Sequence, residues 1–77
     1  RIMTGTEFIE TFKELIQTDM DVNLDTALVD IEDWDSMAIM AIIAWLDVEH
    51  GISADFEKLT NLQSVREIAR LLPDFEE

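Results

Sequence analysis

From Ser36 to His50 the chain runs without a glycine or a proline, and within that stretch only Asp47 and Glu49 carry a formal charge. A run of this length is too long for an ordinary strand and is read as a helix. It is also shorter than the roughly 20 apolar residues needed to cross a bilayer. Ser36 can serve as its N-cap, and Gly51 stands where a left-handed residue commonly closes a helix.

The flanking sequence supplies further helices. Thr4 and Glu7 have capping-box spacing, and Phe8, Ile9, Phe12, Leu15 and Ile16 follow at helical intervals. This predicts a first helix from about Thr6 to Gln17, with Glu7, Glu10, Lys13 and Glu14 on its solvated face. Residues Asp55 to Leu59 can make a short helical turn. Thr60 and Gln63 then repeat the capping spacing, and Leu62, Val65, Ile68, Ala69 and Leu72 form one stripe that Pro73 stops. From Thr18 to Asp35 no helical period persists. Val22, Leu24, Leu28, Ile31 and Trp34 punctuate this acidic stretch as if pinning a loop to a core, with room for a short turn of helix. A loop this long is uncommon in a compact domain and usually functional.

No stretch alternates with period two, and there is no repeat or linker. The expectation is a single all-α domain over residues 1–77, a four-helix bundle with three main helices, one short helix and a long first loop. Phe8, Phe12, Ile16, Ile42, Ile43, Leu46, Val65 and Ile68 would form its core. That core is thin, because a domain of this size buries only about 60% of its unfolded surface.

Charge excludes several functions. Five basic against 18 acidic side chains leave −13, so the chain lacks the positive footprint that nucleic acid or an anionic membrane surface requires. Basic proteins are better partners. Residues 14 to 57 contain no Lys or Arg, a one-sign field that speeds encounter with a basic surface at low salt. There is no cysteine and no signal-peptide pattern, so the expected setting is a reducing cytoplasm; the expected state is a monomer. Arg1 at the start points to a trimmed N-terminus.

The chain offers little to catalysis, with one His and neither Cys nor Tyr. On one helix His50 and Ser36 would stand roughly 21 Å apart, too far for a base and its nucleophile. His50 projects beside Leu46 and Ile43 and reads as a partly buried structural residue. Asp19, Asp21, Asn23, Asp25 and Asp30 match positions 1, 3, 5, 7 and 12 of a calcium-binding helix–loop–helix loop. Against that reading, Leu24 stands where the turn needs Gly, and Asp30 where a longer Glu binds bidentately. No glycine-rich phosphate loop and no His/Cys metal cluster exists.

What remains is Asp33-Trp34-Asp35-Ser36-Met37, at the junction of the acidic loop and the apolar helix. With Leu24-Asp25-Thr26-Ala27-Leu28-Val29-Asp30, Glu49-His50-Gly51-Ile52 and Leu59-Thr60-Asn61-Leu62 in register around it, the chain resembles the acyl carrier proteins. The resemblance implies that a phosphopantetheinyl transferase, with magnesium, moves 4′-phosphopantetheine from coenzyme A to Ser36. It also implies that the thiol of the arm carries acyl groups as thioesters between acyl-loading and acyl-transferring enzymes. Asp35 would guide the transferase and its metal, and Met37 would border the attached group. The serine position fits independently, since a helix N-terminus favours an attached phosphodiester.

The second helix departs from the family's acidic pattern. By helical projection Ile39, Ile42, Ile43 and Leu46 point inward, Met37, Met40, Ala41, Ala44, Trp45 and Val48 spread outward, and Ala38 sits at the edge. Ala38, Ala41 and Val48 occupy positions where fatty-acid carriers commonly have acids. With Asp47, these residues form the expected partner surface, anchored by Trp45 or Met37. The expected role is a non-catalytic carrier for a specialised fatty-acid, polyketide or related lipid pathway. The alternative is an acidic interaction module or degenerate calcium-binding helix pair in which Ser36 is only a cap.

Overall fold

Thr4 starts the first helix as its spacing to Glu7 predicts. In the computed structural model, which describes all residues from Arg1 to Glu77, the Glu7 N–H donates to the Thr4 hydroxyl and the Thr4 N–H donates to the Glu7 carboxylate at 3.1 Å. That backbone hydrogen bond, aided by Arg1, holds the Glu7 carboxyl below its ordinary range. The helix, α1, spans Gly5–Ile16. It closes with Gln17 in the left-handed region (φ 57°), where the Thr18 N–H reaches the Lys13 carbonyl and the Gln17 N–H that of Glu14. This is a Schellman end built without glycine.

The apolar run forms α2, Ser36–His50, which ends on Gly51 at φ 65°. Two short helices follow, α3 (Phe56–Thr60) and α4 (Val65–Ala69). α1 packs against α2, and α3 against α2. Phe8, Phe12, Ile42, Leu46, Leu59, Val65 and Ile68 are wholly enclosed, each contributing about 1.5–3 kcal/mol by burial. The expected core holds, with one correction: Ile43 is only half-buried, packed at the edge of the cluster.

The loop from Thr18 to Asp35 belongs to the core layer. Val22, Leu28 and Ile31 are buried, and Leu28–Asp30 makes one 3-10 turn. Backbone bonds strap the loop to α4: the Leu28 N–H donates to the Gln63 carbonyl, the Val65 N–H to Thr26 and the Arg66 N–H to Leu24. The Arg66 side chain pairs with Asp25 and with Glu77.

The strap explains why the last helix begins later than the Thr60–Gln63 spacing predicts. The first-turn N–H groups of Val65 and Arg66 find carbonyls in the loop, while Ser64 caps the helix by accepting from the Glu67 N–H. The Thr60 hydroxyl instead donates back to Glu57 within α3. Helical geometry also ends at Ala69, and Leu72, although buried, lies in the turn before Pro73.

One element lies outside the all-α expectation. Met3–Thr4 (β1) and Phe75–Glu76 (β2) form a two-residue parallel pair, with Met3 opposite Phe75. Arg70 and Arg66 hold the Glu77 carboxyl beside it below the ordinary carboxylate range.

Candidate functional site

The start of α2 is fixed from below by Trp34. This half-buried ring packs on Phe12 with centroids 5.8 Å apart, and the Trp34 backbone N–H returns to the Ile31 carbonyl at 3.0 Å. With Trp34 anchored, the chain crosses Asp35 in an extended conformation and enters the helix.

The Asp35 carboxylate accepts from the Ala38 N–H at 2.9 Å, and its carbonyl accepts from the Ile39 N–H. The N-cap is therefore Asp35, and the expectation that Ser36 caps the helix is corrected. Asp and Ser are comparable caps, and the residue in extended conformation takes the role. Ser36 becomes the first helical residue, exposed, with its hydroxyl outside the capping hydrogen bond. The N–H groups of the first helical turn have no carbonyl one turn earlier to receive them, and they carry the positive end of the helix dipole. An uncommitted primary hydroxyl beside such donors can be esterified by a phosphate group without dismantling the fold.

The expected partner surface divides. Met37 is 82% exposed, Met40 55% and Val48 76%, and Ala44 and Asp47 are also exposed. Ala38 is buried, because the edge on which projection placed it faces the end of α1, and it leaves the surface. Ala41 and Trp45 are half-buried. The Trp45 ring covers Phe8 (centroids 6.1 Å apart) and meets His50 edge-on at 4.6 Å, so it is partly a lid on the core.

The acids of the long loop do not converge. No three acidic or His side chains lie close enough to hold a metal ion. The Asn23 side chain instead accepts from the Asp25 N–H at 2.8 Å, a local turn, and Asp25 is paired with Arg66. The spacing that resembled a calcium loop is used for turn formation and strapping.

The bundle thus presents one acid-capped, apolar helix with an exposed, uncommitted serine at its first position. A model of the phosphopantetheine attachment site family matches residues 6–72, and the chain belongs to that family. It is a phosphopantetheine-carrying domain, of a class whose members act as carriers for modifying and acyl-handling enzymes. No curated protein and no solved structure matches it. No helix is long and apolar enough to cross a membrane.

The two functions at Asp35, capping and charge, separate by substitution. Asp35→Ala should lower stability by about 1 kcal/mol through loss of the cap. Asp35→Asn should keep the melting temperature, since Asn caps equally well, yet slow loading by the transferase if the carboxylate guides it. Calorimetry and loading rates on both variants check this, and an Asp35→Asn chain that loads at full rate would reduce Asp35 to a cap.

Proposed function

We propose that Ser36 is the attachment residue and that the domain is an acyl carrier for a specialised fatty-acid, polyketide or related lipid pathway. It is a substrate of its enzymes and not itself a catalyst. The observation that carries this reading is the exposed, uncommitted Ser36 hydroxyl at the head of α2, inside the matched range. The arm, once attached, supplies a thiol that holds an acyl group as a thioester, which the cysteine-free chain cannot.

The residues of the chain have distinct parts. Asp35 fixes the helix start and offers a carboxylate beside the hydroxyl, where a transferase with its magnesium must approach. Trp34, seated on Phe12, anchors the end of the loop next to Asp35 and Ser36. The loop carboxylates attract basic partners, the cysteine-free chain suits a reducing cytoplasm, and the domain works as a monomer.

The docking face is Met37, Met40, Ala44 and Val48 with Asp47 beside it, and Ala41 at its edge. An apolar stripe within an acidic surround suits a partner with an apolar groove rimmed by Lys or Arg. Met37 is the better anchor to test than Trp45, whose replacement would uncover Phe8. Met37→Glu is expected to keep the fold by CD and to lower turnover with a cognate acyl-handling enzyme by about tenfold, the equivalent of about 1.4 kcal/mol of docking energy. Unchanged turnover would remove Met37 from the docking face.

The reading is tested by incubating the chain with coenzyme A, magnesium and a broad-specificity phosphopantetheinyl transferase, then measuring intact mass. Gain of one phosphopantetheine, mapped to Ser36, is expected. Its absence with several transferases would overturn the reading.

A further inference from the structure

The head of α2 holds two adjacent residues able to cap it, and only one arrangement leaves Ser36 free to react. The Asp35 carboxylate takes the Ala38 N–H and the Asp35 carbonyl takes the Ile39 N–H, both at 2.9 Å. Were the helix to start one residue later, Ser36 would be the extended residue. Its hydroxyl would then accept from the Ile39 N–H, the bond that an N-cap serine makes to the third helical residue. Local chemistry separates the two starts little, because Asp and Ser are comparable caps.

Chain length separates them. A residue that leaves the helix for an extended conformation changes from roughly 1.5 Å to roughly 3.3 Å of advance, a gain of about 2 Å. Ala38 and Ile39 are buried and α2 is packed on α1, so the added length must be taken up on the Trp34 side. Trp34 is held against such a shift. Its N–H donates to the Ile31 carbonyl, and across it the Asp35 N–H donates to the Asp33 carbonyl, both at 3.0 Å. Ile31 is itself buried, and the Trp34 ring lies against the fully enclosed Phe12 with centroids 5.8 Å apart. No other residue between Thr18 and Asp35 is aromatic.

The position of the start decides how reactive Ser36 is. In loading, the Ser36 oxygen forms a bond to the pantetheine-side phosphorus of coenzyme A. The bond from that phosphorus to the bridging oxygen breaks, adenosine bisphosphate leaves with the electron pair, and the hydroxyl proton passes to a base of the transferase. A hydroxyl oxygen that accepts from the Ile39 N–H has a lone pair committed and turns in toward the helix axis, whereas one outside the cap does neither.

We propose that Trp34 is a positioning residue for loading: seated on Phe12, it holds the start of α2 at Asp35 and keeps the Ser36 hydroxyl out of the cap. The inference rests on attachment at Ser36 and adds the residue that makes this hydroxyl available. Met40, Ala44 and Val48 stay within the helix in either start, so a slipped chain still binds its transferase but reacts more slowly.

The test is transferase kinetics combined with amide NMR of the unloaded chains. Trp34→Ala is expected to lower kcat for loading about tenfold, equivalent to about 1.4 kcal/mol, with KM for the carrier kept. Trp34→Phe, which retains a ring for Phe12, should restore most of the rate. In Trp34→Ala the Ala38 and Ile39 amide resonances should both move as the cap passes to Ser36. Adding Ser36→Ala should return both to their values in the Ser36→Ala chain, since alanine cannot cap and Asp35 resumes the role. If Trp34→Ala fails to fold, Trp34→Leu, which keeps apolar bulk without the ring, should show smaller changes in the same directions. A folded variant that loads at the parental kcat, or loses kcat with the Ala38 amide unmoved, would overturn the positioning role, as would a Trp34→Phe chain no faster than Trp34→Ala. The amide readout needs no loading and so separates two failures. A parent chain that gains no phosphopantetheine overturns the attachment reading, and unmoved amides overturn the role of Trp34.

Discussion

The Ser36→Ala chain is expected to gain no phosphopantetheine at all and to melt within about 4 °C of the parent. The prediction follows from the division of labour at the head of α2. Asp35 makes the capping hydrogen bond, so removing the neighbouring hydroxyl leaves the first-turn N–H of Ala38 satisfied. Ala is also the best helix former, and Ser36 is exposed. Intact mass after transferase treatment and a thermal melt read both halves. Residual loading would move attachment to Ser53 or Ser64, the other serines of the chain. A large loss of stability would return Ser36 to the role of a cap.

The second large effect lies in the core. Phe8→Ala should cost about 3–5 kcal/mol, against a total stability of roughly 4–12 kcal/mol for a domain of this length. Phe8 is fully buried and is the meeting point of three rings: Phe12 at 5.9 Å, Trp45 at 6.1 Å and Phe75 at 6.1 Å. Its removal opens α1 from α2 and loosens the contact with the C-terminal strand at once. A fall in melting temperature of the order of 20 °C, or outright unfolding, is expected by calorimetry. A shift of only a few degrees would mean that Trp45, already half-buried over this site, swings in to fill the void.

Elements set by local chemistry were legible in the sequence. Thr4 and Glu7 start α1, Gly51 ends α2, and the apolar intervals of α1 named the buried side of that helix. The Asp35-Ser36-Met37 motif in its registered surroundings was enough for the family. What escaped was set by contacts distant in sequence. Two good caps stand side by side at Asp35 and Ser36, and only the conformation imposed by Trp34 packing on Phe12 chooses between them. The start of α4 depends on loop carbonyls about 40 residues away in the chain. Ala38 was misplaced because helical projection does not register what the end of α1 covers, and a helix apolar on most sides gives projection little to resolve. The β1–β2 pair, two residues each, is too short for any alternation to register.

That small pair decides where this domain can be handled. α1 and α2 run antiparallel in packing, Phe8 meeting Trp45 at one end and Ile16 standing with Ala38 and Ala41 at the other. The joined ends of the chain therefore lie at the Phe8 pole, and the Ser36 hydroxyl at the opposite one, about 18 Å away along α1. A fluorophore, a solid support or a fused protein attached at either end hangs from the pole remote from the chemistry. Since Met3 and Phe75 are adjacent, a short peptide can close the chain into a ring, or allow it to be circularly permuted, with the serine corner left free to its enzymes.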